Sequence, residues 1–326
     1  MAGNLDGSHD VPLLPLSLFP AGADVGHGVV LPPGGNTFFV RGNGTTITQY
    51  DYDPPGLQDK LIASVAKALT YCVAGRGDVI WVLEGHTENL AVANSWALKA
   101  GVKILGRGDA TNRPVFTFSA TGSTVLVNVA NVTISNCKFL CAGPAGTTAL
   151  TVATCFVVSA AGFTLYKNRL EVGIDADQLC TSCITTTSGG TDMTIAYNQV
   201  EGLAGSVITS VLTTTGAVNR LKIIGNVMRA DAGAAGQLLD LSNAAIVENH
   251  IFNNLLENIT AASTAVIKPH ATSTGLVVGN TYFTKDGGTA PAVSGWTTFT
   301  TNYQHGLNYC VTTTAKTPIL CPGVDS

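Results

Sequence analysis

Charged side chains are few in this chain: Asp, Glu, Lys and Arg make up 12% of its 326 residues, about half the share of an average soluble domain. That excludes a surface built from charged helices. Glycine, alanine, threonine and valine fill the gap and favour strands and tight turns. Lys and Arg are too scattered to form the basic stripe that a phosphate backbone requires, and the formal net charge of −4 agrees, so no nucleic acid partner is expected. Unbroken apolar runs are missing too. The uncharged stretch from Phe139 to Tyr166 is interrupted by Gly143, Pro144, Gly146 and several threonines. It cannot supply the apolar helix of about 20 residues that crosses a bilayer, and no membrane partner is expected. At the N-terminus no basic region precedes the apolar one, and Pro12, Pro15 and Pro20 break its run, unlike a signal peptide.

Cysteine is also limited. Eight residues are too few for a disulfide scaffold in a chain of this length, and only Cys180 and Cys183 stand as CxxC, with no second pair at zinc-site spacing. Most are expected to be small apolar core residues, with no metal and no cofactor. Cys310 and Cys321, flanking a threonine-rich loop, are the pair expected to form a disulfide.

What is present is a repeated phrase. "FTLYKNRL" (163–170), "MTIAYNQV" (193–200), "LKIIGNVM" (221–228), "AAIVENHI" (244–251) and "GLVVGNTYF" (275–283) each place an aliphatic residue three positions before an asparagine and an apolar one two positions after it. The asparagines are Asn168, Asn198, Asn226, Asn249 and Asn280, at intervals between 23 and 31 residues, the range of stacked repeats. Alternation puts Leu165, Ile195, Ile223, Ile246 and Val277 before the corner, and Leu170, Val200, Met228, Ile251 and Tyr282 after it, on one core-facing side. Asparagine tolerates the left-handed backbone that turns a strand sharply, so it fits the corner. "VTISNCKF" (132–139) has the same frame with Cys137 at the corner. Strand, corner, strand and variable loop describe one coil of a right-handed parallel β-helix. A β-sandwich is the alternative, but the two-residue hairpin turns it needs are absent.

Upstream, Leu57, Leu61, Val65 and Leu69 in "PPGLQDKLIASVAKALTYC" (54–72) form the stripe of an amphipathic helix, suited to capping the open end of a coil. The order of this helix, "GDVIWVLEG", "VKILGRG" and "NVTISNCKF" resembles the opening of the pectate-lyase-like β-helix superfamily, especially members carried by tailed bacteriophages as capsid decoration proteins or tailspikes. The expected organisation is an extended arm (1–35), entry strands and capping helix (36–76), the β-helix (77–284) and a C-terminal cap or association segment (285–326). The arm holds five prolines and seven glycines. Its Leu13, Leu14, Leu16, Leu18 and Phe19 are expected to anchor it to another surface, since so apolar a segment does not read as a solvated tail.

The resemblance implies one of two roles. The first is a virion structural protein, a cement or decoration protein on the capsid surface, partnered with the major capsid protein or another virion protein and with itself, as a homotrimer. The second is a tailspike-type lyase or hydrolase acting on host glycans. For the second, Glu171 and Glu201 on adjacent coils are the candidate acid–base pair. Arg169 and Arg229 beside them suggest instead a surface ion ladder, so the expectation is no catalytic residue. Asp175 and Asp177 read as a polar turn. Glu84, His86 and Glu88 in "LEGHTENL" read as a polar strand end rather than a metal or base site, and His250 as an outward, solvated residue.

Overall fold

The structure is a computed structural model that describes residues 34–42, 61–142, 150–173, 178–202, 208–232, 236–259, 266–284, 303–312 and 319–320. The arm anchors, Asp175, Asp177 and Cys321 lie outside the described residues, as does the Cys310 side chain. Within them the chain forms a parallel β-helix. Sheet I has 11 strands, sheet II has 10 and sheet III has 6, and six coils carry a strand in all three sheets.

One coil shows the pattern. Thr164–Tyr166 lies in sheet I, Arg169–Glu171 in sheet II and Gln178–Thr186 in sheet III. Each strand pairs in parallel with its equivalent one coil away, so that Leu165 is flanked by Ile134 and Ile195, and Leu170 by Phe139 and Val200. Side chains alternate between core and solvent, and the inward set from all three sheets forms one continuous buried cluster. Its densest part is aromatic: Phe139 lies at ring-centroid distances of 4.9 Å from Phe156, 5.5 Å from Phe116, 6.2 Å from Phe118 and 6.3 Å from Trp96.

The corner between sheets I and II differs from the sequence expectation in two ways. The left-handed residue is the one before the asparagine, and it varies: Asn136, Lys167, Tyr197, Gly225, Asn253, Gly279 and Leu307 all have φ between +51° and +69°. The asparagine itself is buried and bonds backward to the previous coil. Asn198 Oδ1 accepts from the Asn168 backbone N at 2.9 Å, while Asn198 Nδ2 donates to the Leu165 carbonyl at 2.9 Å. The same pair of bonds recurs at Asn226, Asn254, Asn280 and Asn308. Asn168 makes them toward Cys137 and Ile134, which starts the ladder. These bonds hold the left-handed residue in place, including where its side chain gives no conformational help.

The second difference is the register of one coil. Asn249 is not in the ladder; it begins the sheet I strand Asn249–Phe252, and the ladder residue is Asn254. Ile251 does face the core, but between Ile223 and Val277 in sheet I. The core partner of Met228 and Tyr282 in sheet II is Leu256. His250 and Phe252 therefore lie on the outer face of sheet I, not in the charged column of sheet II.

The expected capping helix is shorter than its stripe. Leu61–Ile62 is a strand pairing with Thr37–Val40, and the helix runs Val65–Leu69 with Ser64 as its N-cap, the Ser64 Oγ accepting from Lys67 N at 3.1 Å. Leu57 lies outside the described residues. Val65, Ala68 and Leu69 are buried against the end of the core, and among the described residues of the stripe Val65 and Leu69 are helical while Leu61 is in a strand. Asp78 ties the following turn down, accepting from Val73 N, Asn36 N and the Arg76 guanidinium at 2.6–2.8 Å. Burial alone would raise the Asp78 carboxyl, but these partners hold it below its ordinary range.

Candidate functional site

The outer face of sheet II carries the candidate carboxylates. Because the coils are in register, Glu171, Glu201, Arg229 and Glu257 stack in one column, with Lys138, Arg169 and Gln199 in the column beside it. Stacked strands lie about 4.8 Å apart, so an acidic pair on adjacent coils is close enough for joint chemistry. One oxygen of each is taken up, however. Glu171 Oε1 is 2.8 Å from Lys138 Nζ and 2.8 Å from Arg169 Nε, and Arg169 Nη2 reaches Glu201 Oε2 at 2.7 Å. One guanidinium therefore bridges the two carboxylates. Arg229 turns the other way and pairs with Glu257 at 3.0 Å. An acid–base pair must present its carboxyls to the bond it cleaves, whereas here ammonium and guanidinium groups lie against one oxygen of each.

This arrangement sets a modest expectation. Partly exposed ion pairs contribute about 0–1 kcal/mol each, so Glu171→Gln and Glu201→Gln should each lower stability by no more than about 1 kcal/mol. Both variants should release no less oligosaccharide from host surface polysaccharide than the native chain does. Release by the native chain that either substitution abolishes would identify the pair as catalytic.

The second candidate, Glu84, His86 and Glu88, is not one cluster in its roles. Glu84 is exposed, and its side chain packs against Gly108. His86 is fully buried, 3.1 Å from Glu88 Oε2 through Nε2, with its ring 5.4 Å from that of Phe116. Glu88 Oε2 also accepts from Val65 N at 2.7 Å, and Oε1 contacts Ala66 N and Trp96 Nε1 at 3.4 Å. Glu88 thus supplies an anion to the first turn of the capping helix, whose N–H groups lack partners of their own. Glu88, with His86 against it, joins the cap to the first coil.

Sequence reasoning found Glu171, Glu201, Arg169 and Arg229 but not Glu257 or Lys138. Glu257 was hidden by the register slip at Asn249, and Lys138 lies in the phrase whose corner is a cysteine. Among the described residues no helix is long and apolar enough to cross a membrane. Neither the protein-family models nor the curated proteins or solved structures include a match to this chain.

Proposed function

We propose that the chain is a structural component of a virion: a capsid cement or decoration protein of a tailed bacteriophage, a pectate-lyase-like β-helix that binds the shell through residues 1–35 and associates as a homotrimer. The observation that carries this reading is the bridging of Glu171 and Glu201 by Arg169, flanked by Lys138. A ladder of buried asparagines through successive coils makes the body a stiff element, which suits a part that adds contacts between shell subunits and stabilises them by mass action.

The outer face of sheet I supports lateral association. In register along it stand the half-buried Phe39, Trp81, Tyr166, Ile224, Phe252 and Val278, with Leu105, Ser135 and Ala196 buried between them. Half-buried apolar side chains in register along several coils give a face that can pack against a second copy, and closed symmetry makes a small ring its natural product.

The test is a chain lacking residues 1–35. It should keep the far-ultraviolet circular dichroism of a folded β-helix and lose capsid binding by at least about tenfold in co-sedimentation with the phage shells, because a segment that holds the molecule to the shell supplies the ordering energy of the contact. Decoration at full occupancy by the truncated chain would remove the arm from the binding function.

A further inference from the structure

The cysteines are chemistry-bearing groups that neither the corner ladder nor the charged column uses. Six are described, and all are buried. Two sit singly: Cys72 Sγ lies 3.5 Å from the Ala68 carbonyl, and Cys137 Sγ lies 3.3 Å from the Ser135 carbonyl. The other four converge. Cys141 ends the sheet II strand Lys138–Cys141, Cys155 lies on the sheet III strand Leu150–Val158, and Cys180 and Cys183 lie on the next sheet III strand, Gln178–Thr186.

The fold brings them together through a local break in alternation. Along Gln178–Thr186, Ser182, Cys183 and Ile184 are buried in succession, and Cys155 and Phe156 are buried in succession on the strand before it. Each strand bends there, which turns Cys155 and Cys183 inward beside residues that already faced the core. Cys141 Sγ is 3.3 Å from Cys155 Sγ, and Cys180 Sγ is 3.8 Å from Cys183 Sγ. The Cys141, Cys155 and Cys180 sulfurs all lie within 4.8 Å of one another. Cys183 adjoins Cys180 but is not within that distance of all three.

We propose that Cys141, Cys155 and Cys180 hold one thiophilic cation of the zinc(II) class at a structural site, which Cys183, beside Cys180, closes by moving inward. Tetrahedral thiolate coordination at about 2.3 Å per bond places sulfurs about 3.8 Å apart. The sulfurs of Cys141, Cys155 and Cys180, 3.3 Å apart for the first two and all within 4.8 Å of one another, bracket that value. Disulfides use the sulfurs in pairs, which leaves the contacts of Cys180 to Cys141 and Cys155 unexplained. Soft sulfur donors select zinc or copper(I) over hard cations. Each ligating thiol releases its proton to solvent as the metal–sulfur bond forms. Since all four residues are at most 1% exposed, the ion enters as the coils close around it, and it then cross-links three strands from two successive coils.

The test uses the full chain, made without a metal-binding tag in zinc-supplemented medium and dialysed against EDTA. Elemental mass spectrometry should find about one thiophilic ion per chain, released to a chromophoric chelator only on unfolding, as for a closed site. Refolding under reducing conditions with cobalt(II) should give thiolate-to-cobalt charge-transfer absorption together with the visible bands of a tetrahedral site. Cys180→Ala should cut bound metal about tenfold or more, while Cys72→Ala, a buried cysteine away from the cluster, keeps it. If Cys180→Ala does not fold, the charge-transfer intensity of the native chain decides, since it counts the bound thiolates, and fewer than three overturns the proposal. Metal-free native protein overturns it as well, whether all its thiols react after unfolding or its mass is two hydrogens lower per oxidised pair.

Discussion

Replacing Phe139 by alanine is expected to lower the stability of the fold by about 3–5 kcal/mol, the usual range for an aromatic side chain removed from a filled core. Phe139 is 1% exposed and lies at the meeting point of four other aromatic rings from two coils and a loop. Its removal takes away both apolar burial and the ring contacts, each of which adds about 0.5–1.5 kcal/mol. Because a coil touches only its neighbours, the damage should be local. Hydrogen exchange should quicken in Val115–Phe118, Lys138–Cys141 and Arg169–Glu171, and stay slow in the coils beyond Asn254. A denaturant midpoint that moves by less than about 1 kcal/mol equivalent would mean that the ring is not packed as described.

Asn226→Ala is expected to cost about 3–4 kcal/mol, through unpaired backbone groups rather than lost volume. The Asn226 side chain accepts from Asn198 N and Nδ2 at 2.9 and 3.0 Å, and donates to the Ile195 carbonyl and to Asn254 Oδ1 at 2.8 and 2.9 Å. Alanine fills none of these positions, and the site is closed to water. It leaves a buried amide and a buried carbonyl unsatisfied on the preceding coil, each costing about 1–3 kcal/mol. Tyr197, held in the left-handed region at φ +55° beside this asparagine, also loses the contact that fixes the corner. Thermal unfolding of the variant against the native chain measures the loss, and a drop within about 1 kcal/mol would show that the ladder is decorative.

Much of this was legible in the sequence, because a solenoid repeats its local rule in every coil. The asparagines, the aliphatic residues around them and the outward glutamates recur at nearly fixed distances, so alternation alone assigned Leu170, Val200, Met228 and Tyr282 to the core. The reading slipped where two candidates competed. The segment from Ile246 to Asn254 contains Asn249, Asn253 and Asn254, and the local phrase around Asn249 imitates the repeat. The interval was the better signal: Asn226 to Asn254 and Asn254 to Asn280 span 28 and 26 residues, in line with the 30, 28 and 28 of the other steps. The helix stripe misled because spacing by four also arises where a strand runs straight into a short helix, as at Leu61 and Val65. The cysteine cluster could not be seen at all, since its members come from three strands and converge only through a bend that breaks the alternation.

The final strand of sheet II has a consequence for molecular length. Ile319–Leu320 pairs antiparallel with Tyr309–Thr312, whereas the other strands of that sheet are all parallel. An open parallel edge is a template on which the first coil of another molecule can continue the stack, and continued stacking gives a fibre. The reversed strand occupies part of that edge with a chain direction that the next coil cannot match. Head-to-tail polymerisation is opposed at this end by topology instead of by charge, of which the chain has little to spare. This edge of sheet II is therefore a poor template for a second molecule.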